Sequence, residues 1–243
     1  NNALVGYGVS MVTLYYTRRY QQYLLDLFSE VEFDQVEIST ELVELLNSIN
    51  STFVDNRHLL EGKISDIDRR LILDRLGRAA DSFRAGLYSH GFAGGRVAVE
   101  TSQLIAFCQT SLEFIDHSIR ANRRQDGLYH AYNLMTATED GIEITYLYEM
   151  LEGQVAVLSS GYLSPEESLA VLEALRQSAL YTERQNSYLL YPDRELSRFM
   201  DKNIIPQSQL QRSALLQALV ASGDSSLVES NSQGGYHFNG AFN

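Results

Sequence analysis

The spacing of apolar residues constrains the fold of this chain more than any other feature of its sequence. From residue 14 to residue 175, apolar and tyrosine side chains recur three or four positions apart, which places them on one face of an α-helix. Residues 14–31 form one such segment, and serines that can cap a helix precede three others, at Ser39, Ser65 and Ser164. A further stripe runs through residues 100–122. The pattern predicts a mainly α-helical chain with little sheet.

A few short segments depart from the helical period. Residues 4–12 are punctuated by glycine, and residues 142–148 alternate between apolar and polar side chains. Both predict short strands, although the second segment can also lead into a helix. Residues 222–243 are small and polar at first and predict an irregular tail.

The connections between the predicted helices are long and rich in polar and aromatic residues. Helix pairs joined in this way are typical of an α/α barrel or toroid, whereas a plain bundle uses shorter connections. We therefore expect helical hairpins, partly toroid-like, in one helical domain that covers residues 1–243. The chain begins without a methionine and ends without a helical signal, so we expect a fragment of a longer protein.

Charge excludes several kinds of partner. Nineteen basic and 31 acidic residues give a formal net charge of −12, whereas nucleic acids and anionic membranes are bound by clustered Lys and Arg. No apolar run approaches the roughly 20 residues that cross a bilayer. Cys108 is the only cysteine, and its apolar helical face predicts a buried, unreactive thiol. We expect a soluble, cytoplasmic protein that binds neither nucleic acid nor membrane.

Motifs for common cofactors are missing. The histidines show no HxxxH or HxxH spacing, which argues against a zinc site. The sequence contains no G-x-x-x-x-G-K-[ST], no G-x-G-x-x-G and no G-x-S-x-G, so neither a nucleotide-binding loop nor a serine triad has support. We expect no metal and no cofactor.

Three loop-rich segments combine carboxylates with tyrosine, at residues 123–133, 147–154 and 186–203. Planar Asp, Glu, Asn and Arg groups bind vicinal hydroxyls, and a tyrosine ring can cover the apolar face of a sugar ring. Glycosidic chemistry also needs a carboxylic acid held protonated near the leaving oxygen, and often a second carboxylate. These segments predict a site for oligosaccharide.

Two carboxylates are the catalytic candidates. Glu152 is the predicted acid, because the apolar Met150, Leu151 and Val155 around it would favour its protonated form. Asp126 is the second candidate, with Arg123 or Arg124 as its partner.

The predicted substrate-binding residues surround these carboxylates. Tyr129 is the expected stacking face, and His130 and Asn133 are expected to bind hydroxyls. The predicted set consists of Arg124, Tyr129, His130, Asn133, Glu149, Tyr191, Asp193 and Arg194.

Each of these residues also has a structural interpretation. Asp126 and Gly127 form a common turn signal, in which the aspartate bonds its own backbone. Glu149 and Glu152 can both face solvent, and His130 can be a packing residue among aromatic rings. In the same way, Asp193 and Arg194 can form a surface turn with a weak ion pair.

One stretch, residues 126–175, resembles a known family. Its sequences DGLYHAYNLM and YLYEMLEGQVAVLSSGYLSPEESLAVLEAL include a Glu-Gly-Gln turn followed by a Ser-Pro-capped helix. They are similar to hairpins of large bacterial carbohydrate-active proteins with (α/α)6 toroid domains, in particular the cellobiose-phosphorylase-like group of inverting glycoside phosphorylases and their bacterial relatives. The resemblance implies a toroid-type fold, a sugar substrate and glycoside hydrolase or phosphorylase chemistry. The catalytic-acid motif of that group does not occur here, so the resemblance assigns no catalytic residue.

Two functions therefore compete. The first is a carbohydrate-active protein, and the second is a noncatalytic helical module that binds other proteins. If Asp126, Glu152 and Asp193 meet in one concave pocket, sugar chemistry is favoured, whereas dispersal of the three carboxylates favours the helical module.

Overall fold

The computed structural model describes residues 7–193, 203–230 and 234–240. Within these ranges the chain is mainly helical, with 56% of residues in helices and 17% in short strands. The helices are α1 (Met11–Glu30), α2 (Thr40–Asp55), α3 (Asp66–His90), α4 (Thr101–Ala121), α5 (Leu151–Ser159), α6 (Pro165–Gln177), α7 (Gln207–Arg212) and α8 (Ala214–Ser222). A short 3-10 helix, Arg57–Glu61, follows α2.

The strands form four small antiparallel sheets within the described residues. They are β1 (Gly8–Ser10), β2 (Gln35–Ser39), β3 (Arg96–Glu100), β4 (Tyr132–Ala137), β5 (Ile142–Tyr146), β6 (Tyr181–Thr182), β7 (Ser187–Tyr188), β8 (Val228–Ser230) and β9 (Tyr236–Phe238). The largest sheet has the order β1-β4-β5, and the others are the pairs β2-β3, β6-β7 and β8-β9. The two segments predicted as short strands, residues 4–12 and 142–148, contain β1 and β5, although the first segment also includes the start of α1 at Met11.

The chain divides after Asp193 into two compact units. In the first unit, α1 packs against α4 and α5, while α2 packs against α3 and α4. Its main core combines side chains of α1, α4, α5 and α6 with the segment after α4. The members of this core are Met11, Tyr15, Ile115, Ile119, Leu128, Tyr129, Ala156, Val157, Val171, Leu175 and Leu180.

Side-chain caps start several of the helices. Ser65 accepts a hydrogen bond from the Asp68 N–H at 3.1 Å, and Ser164 and Glu167 form a complete capping box at the start of α6, as predicted. The prediction that the Ser39 side chain caps α2 is wrong. Ser39 precedes α2, but it is the last residue of β2 and its side chain accepts no bond from the helix.

The apolar stripe predicted for α3 is less buried than its spacing suggests. No residue of α3 is fully buried, and Ile67 and Leu71 are 67% and 44% exposed. Periodicity identifies the helix, but it does not show that α3 packs mainly on α2 and leaves much of its surface to solvent.

The second unit has its own small core of Ile205, Leu210 and Val228. Residues 222–243 are not irregular throughout, because β8 and β9 pair within them. Asn203 supports this hairpin with its side-chain amide, which donates to the Phe238 carbonyl at 2.9 Å and accepts from the Phe238 N–H at 3.1 Å. Among the described helices of both units, none combines the length and the apolarity that crossing a bilayer requires.

Candidate functional site

Arg124 organises the loop that follows α4. Its guanidinium donates to Asp126 at 2.7 Å and to Glu149 at 3.1 Å, and it also reaches the Leu147 carbonyl at 3.4 Å. Asp126 in turn accepts the Leu128 N–H at 3.1 Å, as expected of an aspartate in a turn before a glycine. These contacts, called the Arg124 network below, tie the loop to the segment that leads into α5.

Asp126 is held in its ionised form. Burial alone would raise the pKa of Asp126, but hydrogen bonds from the Arg124 guanidinium and the Leu128 N–H outweigh burial and lower that pKa below its usual value. An aspartate of this kind accepts hydrogen bonds at neutral pH and is a poor source of a proton. The contacts therefore suit Asp126 to binding hydroxyls better than to general acid catalysis.

His130 and Tyr146 form a stacked pair beside this network. Their ring centroids are 4.4 Å apart and the ring planes differ by 17°. His130 is 9% exposed, whereas Tyr146 is 52% exposed. Burial lowers the pKa of His130, the positive charge of Arg124 lowers it further, and a bond to the Leu147 carbonyl opposes both effects. At neutral pH the imidazole is therefore neutral.

Asn133 lies in the same buried region. Its side-chain amide donates to the Asn122 side chain at 2.6 Å, and the Asn122 carbonyl accepts the His130 N–H at 3.1 Å. Asn133 is only 2% exposed, so in this conformation it supports the loop from inside. A ligand hydroxyl could reach it only if the loop moved.

Tyr129, the predicted stacking face, is packed in the core. Its side chain is 3% exposed and meets Tyr15 edge to face, with ring centroids 6.5 Å apart. Both polar groups of its backbone are bound by Gln154, which accepts the Tyr129 N–H at 2.9 Å and donates to the Tyr129 carbonyl at 2.8 Å. The ring has no open face toward solvent in this conformation.

The Glu-Gly-Gln sequence is not a separate turn but lies in the first turn of α5, where it supports this segment, a role that sequence reasoning did not identify. Gln154 is fully buried and also donates to the Met150 carbonyl at 3.0 Å. A Cβ on Gly153 would lie 2.9 Å from the Ala131 Cβ, so only glycine allows α5 to approach the loop this closely. The two residues fix the loop after α4 against the first turn of α5.

Glu152 belongs to a separate, aromatic cluster. The Tyr132 hydroxyl lies near its carboxylate, and burial, followed by the charge of Glu152, raises the pKa of Tyr132. Tyr191 also acts electrostatically on Tyr132 and meets Tyr148 edge to face at 6.3 Å between centroids. We call these four residues the Tyr132 cluster. Tyr148 and Tyr191 are 37% and 36% exposed, so the cluster presents aromatic rings to solvent beside a half-buried glutamate.

The apolar surroundings predicted for Glu152 are only partly present. Met150 is 3% exposed, but Val155 is 49% exposed and faces solvent. Met150 is the extended residue immediately before α5, whereas Val155 lies within the helix on a side that faces solvent.

The three carboxylates proposed to converge do not line one cleft among the described residues. A cleft of about 510 Å³ beside α6 is lined by Asp126, Glu149, Glu173, Gln177, Ser178 and three alanines. Glu152 belongs to the Tyr132 cluster instead, and Asp193 is exposed at the end of the first unit. Arg194 lies outside the described residues. A further cleft of about 550 Å³, between α2 and α3, contains none of the predicted site residues.

The described residues contain no group of three or more His, Cys, Asp or Glu side chains that could hold a metal ion. The Arg124 network and the Tyr132 cluster together offer carboxylates, a guanidinium and aromatic rings. These are the side chains that bind a neutral polyhydroxylated ligand.

Comparison with known proteins gives one finding. Residues 196–243 match the family model of the GH149 phosphorylase insertion domain 2. The match covers a minor part of the chain, and it supports a glycoside phosphorylase-related resemblance over that segment alone. No curated protein matches the chain.

Proposed function

We propose that this chain is one part of a carbohydrate-active protein of the glycoside phosphorylase type, and that it binds an oligosaccharide. The observation that carries the proposal is the match of residues 196–243 to a phosphorylase insertion domain. The resemblance of residues 126–175 to hairpins of glycoside phosphorylases supports it from a different part of the chain. A toroid-type catalytic domain, of which these helices would form a portion, belongs to the same proposal.

The proposed binding surface includes the Tyr132 cluster and the Arg124 network. In the first, Glu152 would accept a sugar hydroxyl while the exposed rings of Tyr148 and Tyr191 cover apolar C–H groups. In the second, Asp126 would accept hydroxyls, since its side chain is 44% exposed although it is paired with Arg124. Glu149 is more enclosed, with a side chain that is 18% exposed. Glu152 remains our candidate for a catalytic acid.

Calorimetry with three probes tests this proposal: hexasaccharides of β-glucan, xylan and chitin. We expect one of them to bind, and we expect Glu152→Gln and Asp126→Asn each to weaken that binding. The expected loss is about 1–3 kcal/mol for each deleted charged hydrogen bond. Glu183→Gln, in the exposed turn between β6 and β7, is a matched control that should bind like the parent.

Thermal melts of the same variants separate binding from folding. Glu152→Gln should melt close to the parent, and Asp126→Asn slightly lower because its partly exposed ion pair contributes little. Absence of binding to all three hexasaccharides would refute the proposal, and so would parent-like binding by both site variants.

A second candidate is a noncatalytic helical interaction module, and two observations favour it: Asp126, Glu152 and Asp193 do not line one cleft, and α1 carries an exposed stripe of large side chains. Tyr16, Tyr20, Tyr23 and Leu27 follow helical spacing along one face of α1, and they are 46%, 60%, 59% and 40% exposed. An exposed apolar stripe of this kind is characteristic of protein contacts. Sedimentation equilibrium of the parent and of a Tyr20→Ser, Tyr23→Ser double variant tests this candidate. Self-association that the double variant abolishes, without sugar binding by the parent, would favour it.

A further inference from the structure

One face of the Tyr146 ring stacks on a buried ring, and the residue is nonetheless about half exposed to solvent. The buried ring of His130 lies almost parallel to it at 4.4 Å, and yet Tyr146 remains 52% exposed. Because His130 covers one face, the solvent-exposed area of Tyr146 belongs to its opposite face and its edge. This is the arrangement of a stacking surface, and none of the residues selected from the sequence in the loop after α4 provides one in this conformation.

We propose that Tyr146 is the stacking platform for a pyranose ring of the bound oligosaccharide. This inference rests on the proposed function only in that the ligand is a saccharide. It adds a binding residue outside the predicted set, and it assigns His130 the role of a positioning residue beneath the platform.

His130 is fixed at several points, which keeps the platform rigid. Its backbone N–H donates to the Asn122 carbonyl at 3.1 Å, and its backbone carbonyl accepts the Tyr15 hydroxyl at 2.8 Å. The residue is 9% exposed, and its ring lies near the Leu147 carbonyl. A ring that is already ordered loses little conformational entropy when a ligand stacks on it.

Polar groups for the edge of the sugar lie one residue away along the chain. The Leu147 carbonyl, next to Tyr146 in the chain, accepts a hydrogen bond from Arg124 at 3.4 Å. Arg124 in turn holds Asp126 and Glu149. The carboxylates of Asp126 and Glu149 thus belong to the same network of contacts as the segment that follows Tyr146.

The charge of this region selects among ligands that stack on aromatic rings. A nucleotide would also offer a planar ring, but its phosphates would be repelled by Asp126, by Glu149 and by the net charge of −12. A neutral sugar ring has no such penalty. The chemistry next to Tyr146 therefore fits a neutral saccharide.

The chain contains no tryptophan, so a single substitution provides a specific reporter. In Tyr146→Trp, we expect the emission to shift or quench when the β-glucan, xylan or chitin hexasaccharide that binds the parent is added. The control is Tyr20→Trp on α1, where the replaced ring is 60% exposed and lies outside both the Arg124 network and the Tyr132 cluster. Its emission should not change.

Affinity measurements with the same hexasaccharide complete the test. We expect Tyr146→Ala to raise the Kd about tenfold, as the loss of an aromatic stack should. Tyr146→Phe keeps the ring and should stay within about twofold of the parent. Melting temperatures near that of the parent would show that each variant is folded.

Two results would overturn the inference, and they differ in what else they overturn. If the parent binds a hexasaccharide and Tyr146→Ala binds it equally well, the platform is refuted while the proposed function stands. If the parent and Tyr146→Trp respond to none of the three hexasaccharides, the proposed function fails and the platform fails with it.

Discussion

Replacing Gln154 by methionine tests whether the first turn of α5 holds the loop after α4 in place, as a structural clamp. Gln154 is fully buried and makes three hydrogen bonds of 2.8–3.0 Å, two to the backbone of Tyr129 and one to the Met150 carbonyl. The methionine side chain is about as long as that of glutamine, so the substitution leaves little empty space. Because methionine is apolar, the substitution removes all three hydrogen bonds.

The size of the expected loss of stability depends on the backbone groups that lose their hydrogen-bond partner in Gln154→Met. Three neutral hydrogen bonds contribute about 1 kcal/mol each, and a buried N–H or C=O left unpaired costs about 1–3 kcal/mol. We expect the free energy of unfolding to fall by about 3–5 kcal/mol in Gln154→Met. A change of that size is a large fraction of the 5–15 kcal/mol typical of a domain.

Urea unfolding, followed by circular dichroism and by tyrosine fluorescence, measures this change. Both signals should shift to lower urea together, because the clamp lies within the core of the first unit. Gln103→Met, at an exposed glutamine of α4, is the matched control and should stay within about 0.5 kcal/mol of the parent. A Gln154→Met variant as stable as that control would refute the clamp.

Three other predictions concern Cys108, Gly153 and His130. Cys108 is 2% exposed and burial raises the pKa of its thiol, so a thiol reagent should label it slowly until urea is added, and rapid native labelling would contradict this. Gly153→Ala should lower the free energy of unfolding by about 1–3 kcal/mol through its contact with Ala131, whereas Gly77→Ala, in open space on α3, should stabilise the chain in the same urea titration. The pKa of His130 is lower in the folded chain than its usual 6.5, so the unfolded chain binds the proton more tightly and stability is lost as the pH falls below about 6.5. This loss should not exceed about 1.4 kcal/mol per pH unit, and the pH dependence of unfolding of His130→Phe should be flatter than that of the parent between pH 7 and 5.

Local signals in the sequence predicted the helices well. Ser65 and Ser164 cap α3 and α6 because a serine hydroxyl reaches the N–H three residues ahead whatever the rest of the fold does. The buried thiol of Cys108 follows from the period of its own helix in the same way. Ser39 shows the limit of this reasoning, because pairing of β2 with β3 competes with its role as a cap.

The candidate site was predicted less completely, because burial depends on contacts between distant segments. Sequence selected Arg124, Asp126 and Glu149, and the structure joins these three through one guanidinium. It also selected Tyr129 as the exposed ring, but Gln154 binds its backbone and Tyr146 is the exposed ring of this region. A tyrosine in a polar, aromatic loop looks the same in sequence whether its ring faces the core or solvent.

The sequence by itself determined that this chain is mainly helical, where most of its helices start and which kinds of side chain gather in its loops. These properties depend on interactions within about one helical turn, so a local pattern is enough to specify them. Only the tertiary structure decided that Glu152 joins Tyr132 while Asp126 joins Arg124, and that His130 supports Tyr146. Those pairings depend on how α5 and the β4-β5 hairpin pack on the loop after α4. A local sequence pattern does not specify which residues from distant segments will be in contact.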